Sequence, residues 1–208
     1  EVLKAVNFVI CEDSRRSGML LKHLEIKKPL ETYHEHSPKS KEDHVIQRLS
    51  AGECAALITD AGTPLISDPG FSIVRKAISS GIRVESIPGA TAFVNALIIS
   101  GLPAHAFTFV GYLPQKEKAR QEALRKLVSE ERTFIFYESP YRLLKTLRDM
   151  LEIFGDRSAS VSREMTKKFE ETVRGTISEI LNHFSRKKIL GEYVIVVEGR
   201  DMKPSLRG

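Results

Sequence analysis

Residues 54–81 read CAALITDAGTPLISDPGFSIVRKAISSG, and their order decides the fold class. A short apolar run, CAALIT (54–59), leads into a cluster of Asp, Gly and Pro, then into FSIVRKAISSG (71–81), which has helical spacing and stops on glycine. That is a buried strand, a loop and a helix. The pattern recurs on both sides. VNFVIC (6–11) is a β-branched apolar run, and SGMLLKHLEI and KEDHVIQRLSAG have helical spacing. RVESIP (83–88) is predicted as a strand and TAFVNALIISG (91–101) as a buried helix. Near-continuously apolar strands alternating with helices predict an α/β fold whose first sheet is mostly parallel and covered on both faces.

Beyond GLPAHA (101–106), the best candidate for a linker, the pattern changes. FTFVGYLP (107–114) and TFIFYES (133–139) are predicted strands, separated by an amphipathic helix, KEKARQEALRKLVSEE (116–131). SPYRLLKTLRDMLEIFG follows as a helix with Leu143, Leu144, Leu147 and Leu151 on one face. SASVSREM, EETVRG and EYVIVVEG (192–199) read as strands in close succession, with TISEILNHFS helical between the last two. A mixed sheet is therefore expected in the second half, giving two αβ domains, 1–104 and 105–208.

Composition narrows the function classes. The chain has 208 residues, 41% hydrophobic and 28% charged, ordinary for a globular protein. No apolar run approaches the ~20 residues of a membrane-spanning helix, and no leader is visible at Glu1–Ala5. Cys11 and Cys54 both lie in apolar runs, which points to reduced thiols, a cytoplasmic setting and no disulfide scaffold. The net charge of +5 is unevenly placed. Residues 1–104 carry 12 basic and 12 acidic side chains, whereas residues 105–208 carry 20 and 15. The whole excess lies in the second half, a pattern that solvated helix faces or a phosphate-backbone footprint would both produce.

The polar clusters fall at predicted strand ends, where open α/β sheets bind ligands. CEDSRRSG (11–18) places Glu12, Asp13, Arg15 and Arg16 in one turn, with Asp13 or Ser14 suited to cap a helix. TDAGTPLISDPG (59–70) exposes backbone N–H groups, and Asp60 is placed to accept hydrogen bonds from an amine or ribose hydroxyls. PGATA (88–92) joins a strand end to a helix N-terminus with free N–H donors. FYESPYR, REMTKKFEE and GEYVIVVEG add charged groups beside the strands of the second half. Neither GxGxxG nor a P-loop occurs, and there is no GxSxG elbow. His34, Glu35, His36, Asp43 and His44 lack the Cys or HExxH arrangement that would favour zinc, so no metal is expected.

Taken together and in order, CEDSRRSG, TDAGTPLISDPG, PGATA, FVGYLP, FYESPYR, REMTKKFEETVRG and GEYVIVVEG resemble the ribosomal-RNA-methylating branch of the tetrapyrrole methylase superfamily. The resemblance covers essentially the whole chain. It implies two αβ domains holding S-adenosylmethionine in the cleft between them, a homodimer, and 2′-O-methylation of a cytidine ribose in 16S rRNA of the small ribosomal subunit. It also implies cofactor contacts at Asp60, Ala61, Gly62, Pro88, Gly89, Thr91 and Ala92, with Tyr137, Met165 and Thr166 closing over the adenine side. Chains of this type open with a strand and a TPIGNL loop. Glu1 corresponds to the helix that follows, so the first strand is expected to lie outside this sequence, as is the family's C-terminal extension.

Methyl transfer to a hydroxyl needs donor and acceptor held in line, and the weak nucleophile gains from a base or a charge-stabilising group. Glu12, Asp13, Arg15, Glu138, Glu164 and Lys167 are the candidates, with Glu164 and Lys167 preferred as a pair because REMTK sits at a strand end in the basic half. Arg15 and Arg16 suit phosphate contacts. A superfamily relative acting on a corrinoid precursor and a non-catalytic RNA-binding module are the competing readings.

Overall fold

The computed structural model describes residues 1–35 and 37–200. It divides into two compact units, Glu1–Ala90 and Thr91–Gly208.

The first unit runs α1 (Val2–Ala5), β1 (Phe8–Cys11), α2 (Ser14–His23), β2 (Leu30–Thr32), α3 (Lys39–Ser50), β3 (Ala55–Ile58) and α4 (Phe71–Ser79). The strands form a parallel sheet in the order β2-β1-β3. Alternation sends Phe8 and Ile10 to one face, against Tyr33, Val45 and Ile73. Val9 goes to the other, against Val6 and Leu21. Both faces are covered, which is why β1 is apolar at every position.

RVESIP is not a strand. Residues 83–88 join no sheet among the described residues, and Val84 and Ile87 are exposed. The residue alternation is strand-like, but a strand needs a hydrogen-bonding edge beside it, and sequence pattern alone does not supply one.

The second unit contains α5 (Ala92–Ser100), β4 (Phe107–Tyr112), α6 (Glu117–Arg125), β5 (Thr133–Glu138), α7 (Leu143–Phe154), β6 (Ser158–Arg163), β7 (Glu171–Thr176), α8 (Ile177–Ser185) and β8 (Tyr193–Val197). The sheet order is β4-β5-β8-β6-β7. β4 and β5 are parallel, and β8 runs antiparallel to both of its neighbours, β5 and β6. The sheet is mixed, as the closely spaced strands of the second half imply. α6 is shorter than the amphipathic stretch around it: beyond Arg125 the chain tightens into turns, with Leu127 N–H donating to the Leu124 carbonyl.

One face of this sheet carries the larger core. Phe134, Phe136, Val161, Tyr193, Ile195 and Val197 pack against Leu124, Leu143, Leu147, Met150, Ile177, Ile180 and Phe184 of α6, α7 and α8. Each fully buried aliphatic side chain there contributes roughly 1.5–3 kcal/mol. On the opposite face Ile135, Val194 and Val196 meet Ala96 and Leu97 of α5. The helix at 92–100, which chain order groups with residues 1–104, thus packs on the second sheet. It is apolar around its circumference, and Gly101 in the left-handed conformation ends it.

Candidate functional site

In the first unit the sequence-derived candidates gather at the carboxyl ends of the parallel strands. β1 ends at Cys11, so Glu12 and Asp13 emerge there. Asp13 caps α2, its Oδ1 accepting from the Arg15 N–H at 2.8 Å. The Arg15 side chain folds back onto the same carboxylate at 3.0 Å. That hydrogen bonding holds the Asp13 carboxyl below its usual range, so its role is structural. Arg16 pairs instead with Asp60, Nη1 to Oδ2 3.0 Å, just beyond the end of β3.

Asp60, Ala61 and Gly62 are exposed. Gly62 has φ +78°, open to glycine without strain. A Cβ there would stand 3.9 Å from the Ala90 carbonyl oxygen, and the Thr63 hydroxyl donates to that same oxygen at 3.1 Å. The Pro88–Gly89–Ala90 loop is therefore fastened beside the Asp60–Thr63 loop.

In the second unit β4, β5 and β6 all end on one edge of the sheet, and β7 and β8 both begin there. FVGYLP, FYESPYR, REMTKKFEE and GEYVIVVEG converge on that edge. Tyr137 belongs to the α5 face. Its ring lies edge-on to Phe109 at 5.1 Å, and Phe109 stacks on Phe93 at 4.5 Å, one residue after Ala92 at the start of α5. Thr91 is the N-cap of that helix. Ala92 and Tyr137 thus belong to one apolar cluster, with Thr91 next to Ala92 in the chain.

Glu138 points the other way. It is 1% exposed and accepts from the Ser139 N–H at 2.7 Å and the Thr146 hydroxyl at 2.5 Å. It also pairs with Arg142 at 2.9 Å. Its oxygens are engaged in closing the β5–α7 turn, which removes it from the candidates for activating a substrate.

The turn after β6 holds Glu164, Met165, Thr166 and Lys167. Lys167 Nζ lies 3.1 Å from Glu164 Oε1 and 3.3 Å from Glu192 Oε2. A backbone hydrogen bond from Glu192, assisted by Lys167, keeps the Glu164 carboxyl below its usual range. Partial burial pulls the Lys167 ammonium down, but bonding to Glu164 and the charge of Glu192 outweigh it and leave it above the ordinary lysine value. Lys167 is therefore a charged hydrogen-bond donor at neutral pH. Glu192 was not singled out by sequence reasoning: it is 25 residues from Lys167, and the only signal is a carboxylate directly before a strand.

Both candidate loops carry unusual backbone. Five non-glycine residues have positive φ among those described, and four of them are Leu65 and Ser67 of one loop and Glu164 and Thr166 of the other. Left-handed conformations cost of order 1–3 kcal/mol for such residues, and they persist where surrounding bonds over-determine them. Thr166 N–H, for example, is held by the Glu170 carboxylate at 2.6 Å.

Within the first unit, the Asp60 carboxylate can accept from an amine or a hydroxyl, and glycine-lined backbone at 60–62 and 88–90 allows close approach. Within the second unit, taken by itself, the aromatic group around Tyr137 offers a flat apolar surface.

Residues 1–181 match the model of the tetrapyrrole (corrin/porphyrin) methylases. The chain is 42% identical over 201 residues to the ribosomal RNA small subunit methyltransferase I of Thermotoga maritima, covering 97% of this chain and 90% of that protein. It is 45% identical to the protein of that name from Halalkalibacterium halodurans, with 97% and 70% covered. Among solved structures, a cobalt precorrin-4 methyltransferase superposes with TM-score 0.65 at 17% identity, covering 95% of this chain and 85% of that one. Uroporphyrin-III C-methyltransferase from Thermus thermophilus, complexed with S-adenosylhomocysteine, gives 0.57 at 18%, covering 93% and 86%. The chain belongs to the tetrapyrrole methylase family, with the proteins named ribosomal RNA small subunit methyltransferase I as its relatives.

Proposed function

We propose that this protein is an S-adenosylmethionine-dependent methyltransferase acting on small-subunit ribosomal RNA, at the 2′-hydroxyl of a cytidine. The observation that carries the proposal is identity above 40%, over nearly the whole chain, to proteins named as methyltransferases of small-subunit ribosomal RNA. When bound, the cofactor supplies a methyl group activated on a positively charged sulfur.

The chain's own residues divide the remaining work. Asp60 accepts hydrogen bonds from the cofactor, with Ala61, Gly62, Pro88 and Gly89 giving close backbone approach. Thr91, Ala92, Tyr137, Met165 and Thr166 form the remaining cofactor contacts. Lys167 donates to the acceptor oxygen and stabilises the negative charge that grows on it as the hydroxyl proton passes to solvent water. Being charged at rest, Lys167 polarises the hydroxyl rather than deprotonating it. Glu164 holds Lys167 at 3.1 Å. Arg15 and Arg16, exposed on the first turn of α2, contact phosphate, and Glu12 stands beside them at the end of β1. A cytoplasmic homodimer completes the proposal, and sedimentation of the full chain reads its oligomeric state.

The decisive experiment incubates the full chain with tritiated S-adenosylmethionine and small ribosomal subunits lacking the modification. Label in the 2′-O-methyl group of a cytidine is the expected result, and no transfer to rRNA would sink the proposal.

A further inference from the structure

Lys167 has more than one partner, and the second comes from a distant part of the chain. The Glu192 N–H donates to Glu164 Oε1 at 3.0 Å, and the Glu164 N–H donates to the Glu192 carbonyl at 3.0 Å. This reciprocal pair ties the end of β6 to the start of β8. Glu164 Oε1 therefore serves two donors, the Glu192 N–H and the Lys167 ammonium.

Gly191 is what lets the two segments meet. Its φ is +85°, a conformation that strains any residue with a Cβ. A Cβ built there would stand 2.5 Å from Glu164 Cγ and 2.7 Å from its Cδ. Relief by swinging Glu164 away would break both of the bonds that its carboxylate accepts.

The geometry has a stereochemical consequence for the ammonium. A lysine carries three N–H donors. Glu164 and Glu192 accept two of them, from opposite segments of the same sheet edge, which leaves one N–H with a defined direction. With a single carboxylate the Nζ could swivel about it on its flexible stem.

We infer that the Gly191–Glu192 pair is a positioning element for methyl transfer: the Glu192 carboxylate aims Lys167, and its main-chain N–H fixes the carboxylate of Glu164. The inference rests on Lys167 facing the acceptor hydroxyl. Glu192 is mostly solvent-exposed, its side chain 71% accessible, so replacing its charge leaves the core intact.

The test uses the full chain as wild type and as Glu192→Gln, which keeps the backbone bonds and removes one charged acceptor. Methylation of unmodified small subunits is followed against pH. In parallel, 13C-labelled lysine NMR titrates Lys167 in the protein without RNA. The expected result for Glu192→Gln is kcat reduced about tenfold with KM for the subunit within about twofold, because the charged acceptor that aims Lys167 is replaced by a weaker neutral one and binding is not touched. The Lys167 resonance should titrate at lower pH than in wild type, and the alkaline limb of the rate profile should move with it. Gly191→Ala should give a larger kcat loss, since it displaces Glu164 as well.

An unchanged Lys167 titration together with wild-type kcat in Glu192→Gln would overturn the inference. If wild-type protein fails to methylate the subunits, the RNA assignment falls, while the NMR titration still decides whether Glu192 holds the lysine.

Discussion

Arg16 extends from the first turn of α2 to place Nη1 3.0 Å from Asp60, so the carboxylate proposed for the cofactor already holds a counter-ion. The Arg16 side chain is 66% exposed, and an ion pair so open to solvent is worth no more than about 1 kcal/mol. A ligand amine or hydroxyl can therefore take the arginine's place at little cost. Asp60→Ala should weaken S-adenosylmethionine binding by about tenfold or more, because a charge-assisted hydrogen bond is lost. Arg16→Ala should not weaken cofactor binding, but should reduce the salt dependence of RNA binding by about one released counterion. Calorimetry of both variants against cofactor, and a salt series against RNA, read the two effects separately.

Lys167→Ala should lower kcat by about 10²–10³-fold with a much smaller change in KM, the pattern of a lost transition-state donor. The pH dependence has a definite sign. The Lys167 pKa is raised on folding, so the charged form and its stabilising pairing are fully present below the ordinary value of 10.5 and lost only as pH rises through the higher folded value. Lys167 should therefore contribute no ascending limb between pH 7 and 9. A lysine-dependent rise over that range, absent from Lys167→Arg, would show that the free amine is the active form.

Arg120 and Asp149 form a buried ion pair between α6 and α7, with 3% and 9% of their side chains accessible and 2.5 Å between Nε and Oδ2. Gln115 and Gln121 complete its hydrogen bonds. Removing one partner strands a buried charge, so Asp149→Ala should cost about 3–5 kcal/mol. The double change Arg120→Met with Asp149→Leu should recover most of that loss. Urea unfolding of the wild type and the two variants checks the difference, and a double variant no more stable than Asp149→Ala would contradict it.

Glu138 tests the separation of structure from chemistry within one motif. Glu138→Ala leaves the Ser139 N–H and the Thr146 hydroxyl without this acceptor and removes the carboxylate beside Arg142 Nη2, at a cost of about 2–5 kcal/mol. Methyl transfer per folded molecule should stay within severalfold of wild type. A catalytic loss exceeding the loss of folded protein, measured at a temperature where the variant is folded, would return Glu138 to the reaction.

What the sequence disclosed and what it concealed follow from distance along the chain. The alternation Phe134, Ile135, Phe136, Tyr137 marks a strand buried on both faces because its period is local. The Glu164–Lys167 pair is three residues apart and was equally legible. RVESIP has the same local pattern, yet it joins no sheet among the described residues, because pairing depends on a distant edge. α5 is apolar on all sides, so nothing local says which sheet it covers. Its partners Ile135, Val194 and Val196 lie 43 to 104 residues away from its first residue, Ala92. Glu192 was missed for the same reason: its contact with Lys167 exists only once β8 is seated beside β6.

The position of β8 carries a consequence for how the molecule is made. It is the last strand in the described chain, yet it occupies the middle of the five-stranded sheet with every residue buried. Until it arrives, β5 and β6 present bare edges to one another, and Glu164 lacks the N–H that steadies its carboxylate. During synthesis the second unit must wait, its largest core half-assembled, for residues 193–197 to leave the ribosome. A nonsense mutation before this point should leave an aggregation-prone polypeptide rather than a smaller working enzyme.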